Sequence, residues 1–193
     1  YFWFNNKLIM NQYFIFIPNF LSIIRIGLIY PILNSVYLGE YLIGLMYFIF
    51  ASLTDALDGF LARKMNWYTE LGKILDPVAD KMLVIGTIFV LWANNFIPLY
   101  VFTILIGRDV LILLGAVLHM SLITSNAPSP NVLGKITTGS QIVYIAQLLI
   151  IQAMNFDLHY IWLDWLVVFI TALSLLVYAF NWFQSIKGHH EQT

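Results

Sequence analysis

The chain has 193 residues, of which 61% are hydrophobic and 10% charged, with a net charge of −1. Soluble domains are roughly 45–50% apolar and about 25% charged, and a water-soluble fold of this size has too little interior to hide the excess. A membrane-embedded chain is therefore expected, with no basic field for nucleic acid, no disulfide or thiolate chemistry because cysteine is absent, and no zinc-ligand spacing among the four histidines.

The chain opens on Tyr1, and Met10 is the expected initiator because the ordered pattern begins just after it. No cleavable signal peptide is expected, since the early apolar run leads directly into a spanning segment. Residues 1–16 are aromatic-rich and read equally as an interfacial segment and as a frayed terminus. A spanning helix needs about 20 mostly apolar residues. That ruler predicts an all-α polytopic membrane domain over 17–188, with six transmembrane helices over 20–38, 41–63, 73–92, 98–122, 134–154 and 162–186, followed by a short tail at 189–193. The connections are short except for 124–133, which is rich in Pro, Ser and Asn.

Lys and Arg set orientation in membranes. Lys7, Arg63, Lys64, Lys73, Lys135 and Lys187 fall at the two termini and in the second-to-third and fourth-to-fifth connections. The opposite connections, around Gly39, 94–97 and 155–160, contain neither residue. Both termini are therefore expected on the cytoplasmic side.

The informative stretch is residues 55–80, DALDGFLARKMNWYTELGKILDPVAD. An unpaired Asp at the centre of a spanning helix costs about 2.5–3.5 kcal/mol on insertion scales, so four of them need a compensating partner. Two divalent cations match four carboxylates in charge, and hard oxygen ligands point to Mg²⁺ or Mn²⁺ rather than zinc. Asp55 and Asp58 are three residues apart and share a helix face, which Gly59, Ala62 and Arg63 continue. Gly72, Asp76 and Asp80 recur every four residues on the next segment. Two adjacent antiparallel helices would bring these stripes together. The small residues allow a flat ligand to approach backbone, and Arg63 supplies a planar donor fork for phosphate oxygens.

The pattern D-x2-D-G-x2-A-R-x8-G-x3-D-x3-D is met by Asp55, Asp58, Gly59, Ala62, Arg63, Gly72, Asp76 and Asp80. In this the chain resembles the CDP-alcohol phosphatidyltransferases, and its six-helix layout is similar to theirs. The resemblance implies that Asp55, Asp58 and Asp76 ligate the two metals. Asp80 completes that metal site and serves as the catalytic base toward the acceptor hydroxyl. The CDP part of CDP-diacylglycerol is held by Asp55, Asp58, Gly59, Ala62, Arg63 and Gly72, and CMP leaves. The resemblance also implies a homodimer in a bacterial inner membrane, with the active site cytoplasmic.

The segment 17–31, IPNFLSIIRIGLIYP, resembles the first helix of phosphatidylglycerophosphate synthases and of eukaryotic-type cardiolipin synthases. Arginines inside spans meet anions, so Arg25, Arg108 and Lys135 are expected to bind the acceptor's phosphate. Gly134, Lys135, Thr138 and Gln141 match a segment of the glycerophosphate synthases. Thr137 stands in place of their second lysine, and Asp109 follows Arg108 where they more often have Glu. Glycerol 3-phosphate is the preferred acceptor, with phosphatidylglycerol, as in a cardiolipin synthase, the alternative. An ion or proton transporter is the competing class, since it too needs intramembrane acids. Asp157 and Asp164 are expected at the outer surface, far from the site.

Overall fold

The computed structural model describes residues 17–65, 72–122, 132–156 and 161–190. The expected interfacial segment 1–16 and residues 191–193 of the expected tail lie outside them. The described residues form six helices and no strand. They are α1 (Ile17–Tyr37), α2 (Tyr41–Met65), α3 (Gly72–Ala93), α4 (Leu99–Leu122), α5 (Val132–Ala153) and α6 (Ile161–His190). Each stands where a span is expected, and α6 runs past the expected end at 186 to take in His189 and His190.

Among the described residues, four helices are long and apolar enough to cross a membrane, over Phe20–Tyr37, Tyr41–Phe60, Leu133–Ala153 and Ile161–Gln184. Lys73, Asp76, Asp80 and Lys81 lie along α3, and Arg108 and Asp109 lie within the otherwise apolar α4.

The chain divides into two compact units. The first contains α1, α2, α3 and residues 146–156; the second contains α4, residues 132–145 and α6. In the first unit, α1 packs against both α2 and α3. Its buried residues Ser22, Arg25, Ile29, Ile32 and Val36 recur every three or four positions, so they form one face of a helix. In the second unit, α4 packs against α6.

The polarity of both units is the reverse of a soluble fold. On α2, Leu42, Met46, Phe50, Leu53, Leu57 and Phe60 are each more than half exposed. On α6, Trp162, Trp165, Phe169, Leu176, Phe180 and Phe183 are too. Charged and polar groups, among them Arg25, Asp58, Arg108 and Gln141, are buried instead. An apolar exterior around a polar interior is stable where the solvent is lipid.

The turn from α1 to α2 is built tightly. The Gly39 amide donates to Val36 O at 3.3 Å and the Glu40 amide to Ser35 O at 2.8 Å, the paired bonds of a Schellman cap. Gly39 takes φ +83°, which a side chain would disfavour. Gly44, one turn into α2, lets the returning helix close on α1: a Cβ there would lie 2.8 Å from Val36 Cγ2. Asn155 repeats the cap after α5 at φ 51°, with Phe156 and Asn155 amides donating to Ile151 O and Gln152 O.

Asp164 corrects one expectation. It is not at the surface but 1% exposed, in the first turn of α6, and accepts a hydrogen bond from Tyr144 Oη at 2.6 Å. A carboxylate at a helix N-terminus is favoured by the helix dipole, and the tyrosine hydroxyl satisfies it in the interior.

Val36 is fully buried and β-branched, so it has little freedom to move aside. Gly44→Ala is expected to cost about 1–3 kcal/mol, read as a lower unfolding temperature in detergent. Val36→Ala should recover part of that loss when combined with it, giving a double variant more stable than the two single effects add up to.

Candidate active site

The acids of α2 and α3 meet around a residue of α1. Asp55 and Asp58 lie on successive turns of α2, with Asp58 buried and Asp55 partly open. Asp76 and Asp80 lie one turn apart on α3, both partly exposed. The Arg25 side chain is 0% exposed, and its guanidinium reaches three of them. Nη1 donates to Asp80 Oδ1 and forms an ion pair with Asp55 Oδ1 at 2.9 Å, while Nη2 donates to Asp58 Oδ2. Asp76 instead accepts from Ser22 Oγ, one turn before Arg25 on the same face of α1.

The acids are also close to one another. Asp55 and Asp80 meet the same nitrogen, Arg25 Nη1, so their carboxylates face each other. Four ionised carboxylates carry four negative charges, of which the buried guanidinium offsets one. Among the described residues, no three Asp, Glu or His side chains close a ready-made metal cluster. Arg25 forms ion pairs with three of the acids that such a cluster would use. The donor set itself, all carboxylate oxygen, has the chemistry that Mg²⁺ or Mn²⁺ prefers.

Sequence spacing anticipated the two acidic stripes, but it placed them on two helices packed together. The structure makes the junction a three-helix one, with α1 packed on both α2 and α3. Ser22 was not anticipated; the signal for it was its place three residues before Arg25, on a face that is otherwise apolar. Gly59 follows Asp58 on α2, and Gly72 is the first residue of α3. The side chains of Ala62 and Arg63 lie outside the described residues.

A second polar site lies in the other unit. Arg108 on α4 is 6% exposed. Its Nη1 donates to Asp109 Oδ1 at 2.7 Å and its Nη2 to Ser174 Oγ on α6 at 2.8 Å. The bond to Asp109 joins neighbours in sequence, whose Cβ atoms diverge on a helix; the length of the arginine side chain bridges the gap. A Cβ on Gly134 would lie 3.5 Å from Arg108 Nη2, so the start of α5 abuts the guanidinium. Lys135, next along, is exposed.

Residues 15–182 match the family model described as CDP-alcohol phosphatidyltransferase. A CDP-diacylglycerol--glycerol-3-phosphate 3-phosphatidyltransferase of Bacillus subtilis (strain 168) is 33% identical over 190 residues, covering 86% of this chain and 95% of its own. One of Aquifex aeolicus (strain VF5) is 40% identical over 128 residues, covering 63% of this chain and 68% of its own. A cardiolipin synthase (CMP-forming) of Rattus norvegicus is 34% identical over 197 residues, covering 89% of this chain and 64% of its own.

Removing one member of a buried ion cluster strands the others, typically at about 3–5 kcal/mol. Arg25→Met is expected to destabilise the protein by that order in denaturant unfolding. Adding Asp58→Asn should restore part of it, because the carboxylate left without its cation is then neutral. Arg25→Lys keeps the charge but lacks the fork that spans three acids, and should fall between wild type and Arg25→Met.

Proposed function

We propose, given that this chain belongs to the CDP-alcohol phosphatidyltransferase family, that it transfers a phosphatidyl group from CDP-diacylglycerol to the hydroxyl of glycerol 3-phosphate. The products are CMP and phosphatidylglycerophosphate. Family membership makes it a transferase and sets the transporter alternative aside. The observation that carries the reading is the convergence of Asp55, Asp58 and Asp80 on Arg25, with Asp76 held by Ser22 one turn along α1. Near-full-length similarity to a protein named for this reaction supports the choice of acceptor.

In this reading the acceptor hydroxyl oxygen bonds to the phosphorus next to diacylglycerol, the bond from that phosphorus to the CMP oxygen breaks, and CMP carries away the electron pair. Asp80, partly exposed beside Asp55, takes the hydroxyl proton. Two divalent cations, Mg²⁺ or Mn²⁺, would be held by Asp55, Asp58, Asp76 and Asp80 and, when bound, supply charge neutralisation of the diphosphate and polarise the reacting groups. Gly59, Ala62, Arg63 and Gly72 hold the CDP part together with Asp55 and Asp58, small residues admitting the flat base and Arg63 meeting phosphate oxygens. No covalent enzyme intermediate is required.

Arg108 and Lys135 bind the acceptor's phosphate. Arg108 is buried with its Nε unpartnered, and Lys135 adjoins the Gly134 that abuts it. Arg25 was expected beside them; its guanidinium forms ion pairs with three carboxylates, so we assign it to the acids. The six helices each cross the bilayer, with both termini and the acids on the cytoplasmic side of a bacterial cell membrane. The Lys and Arg distribution supports that orientation. The enzyme works as a homodimer.

One observation favours phosphatidylglycerol as acceptor instead. Thr137, where glycerophosphate synthases typically carry a second lysine, is fully buried and donates to Leu133 O at 2.8 Å. The site therefore has one cation fewer for a phosphate monoester, and the similarity to a cardiolipin synthase spans most of this chain.

Purified protein given labelled CDP-diacylglycerol and Mg²⁺ should release CMP with glycerol 3-phosphate, and far less with phosphatidylglycerol, serine or inositol. A phosphatidylglycerol-dependent product would reassign the acceptor, and no CMP release with any alcohol would falsify the enzyme reading. Asp80→Asn should lower kcat by at least about 100-fold, the usual scale of a lost general base, and chelation with EDTA should abolish turnover reversibly. Arg108→Ala and Lys135→Ala should each raise the KM for the acceptor while leaving that for CDP-diacylglycerol near wild type.

A further inference from the structure

Gln141 is a buried amide that the protein itself does not satisfy. It is 1% exposed, and neither its nitrogen nor its oxygen has a hydrogen-bond partner among the described residues. The hydroxyls around it on α5 are all satisfied locally. Thr137 donates to Leu133 O, Thr138 to Gly134 O and Ser140 to Thr137 O. Buried polar groups in folded proteins are nearly always bonded, and an exception calls for a specific cause.

Its position suggests that cause. Gly134, Thr137 and Gln141 recur at three- and four-residue intervals, so they share a face of α5. Gly134 lies against the Arg108 guanidinium, and Arg108 Nε is likewise buried without a partner. The same face therefore presents an unfilled cationic donor at its start and an unfilled amide about two turns, or roughly 10 Å, further along. Side chains on a helix lean toward its N-terminus, which shortens the gap. It becomes comparable to a glycerol phosphate with a hydrogen bond at each end.

We propose that Gln141 reads the acceptor's secondary hydroxyl, the one that does not react, while Arg108 and Lys135 hold its phosphate. This rests on the acceptor reading given above and adds the residue that recognises the glycerol. An amide suits that task because it donates and accepts at once, as a hydroxyl does. The secondary hydroxyl and the neighbouring phosphate are common to glycerol 3-phosphate and to the head of phosphatidylglycerol. Gln141 thus recognises a glycerol phosphate unit, whether free or lipid-borne. A site built to bond a hydroxyl rejects the analogue lacking it, because its own polar atoms are then left unmatched.

The test compares each acceptor with its analogue lacking that hydroxyl: 3-hydroxypropyl phosphate against glycerol 3-phosphate, and phosphatidylpropanediol against phosphatidylglycerol. CMP release is measured in the intact enzyme with Mg²⁺. Wild type should favour the true acceptor by at least about 100-fold in kcat/KM. Gln141→Leu should lose most of that preference, by slowing the true acceptor and leaving the analogue nearly unchanged. The ratio is read within one preparation, so partial loss of folded protein cancels, and Gln141→Met supplies a second variant of similar length. Equal use of acceptor and analogue by wild type overturns the proposal without any variant. So does a Gln141 variant that slows both alike, the result expected if a water molecule or packing alone satisfies the amide. Whichever pair is active identifies the source of the glycerol phosphate. If wild type releases CMP only with an alcohol that has no such unit, the acceptor reading fails first, and the role of Gln141 with it.

Discussion

The Arg25 guanidinium is the point on which the first unit depends. It is fully buried on α1 and pairs with Asp55 and Asp58 on α2 and with Asp80 on α3. Carboxylates gathered in an apolar surrounding repel one another and lose hydration; both penalties fall when one delocalised cation bonds several of them. The same contacts hold two helices to a third, so the charge compensation and the helix packing are one arrangement. Ser22 extends it by one turn to reach Asp76.

The second unit solves a similar problem differently. Arg108 is buried with its two terminal nitrogens bonded to Asp109 and Ser174, and Asp164 is buried with the Tyr144 hydroxyl. These groups are satisfied by neutral donors and acceptors or by a single local acid. Among the described residues there, Arg108 Nε and the Gln141 amide are buried without a partner. A membrane interior leaves no bulk water to meet such atoms, which gives them more weight as recognition groups than the same atoms would have in a soluble domain.

The six helices were legible because lipid imposes two strong rules, a length near 20 residues and internally bonded backbone. The turn at Gly39 and the stop at Asn155 fall where those apolar runs end. The acidic stripes were legible too, since i, i+3 and i, i+4 spacings place side chains on a common face whatever the tertiary fold. The identity of the third helix at the acids was not. Arg25 was known to need an anion, but its acids are 30, 33 and 55 positions away, and periodicity carries no information about which helix lies beside which. Asp164 was misplaced for the same reason: its position near a helix end suggested exposure, while a tyrosine 20 residues earlier takes it into the interior.

By itself the sequence determined that this chain is helical and apolar outward, that four aspartates lie on two helix faces, and that their motif belongs to one enzyme family. Those are local properties, set by composition and by spacing along a helix. Tertiary structure decided which cation meets the acids, that Ser22 joins them, and that Gln141 is enclosed without a partner. Such matters depend on side chains far apart in the chain coming within hydrogen-bond distance, and only the packing of helices against one another brings that about.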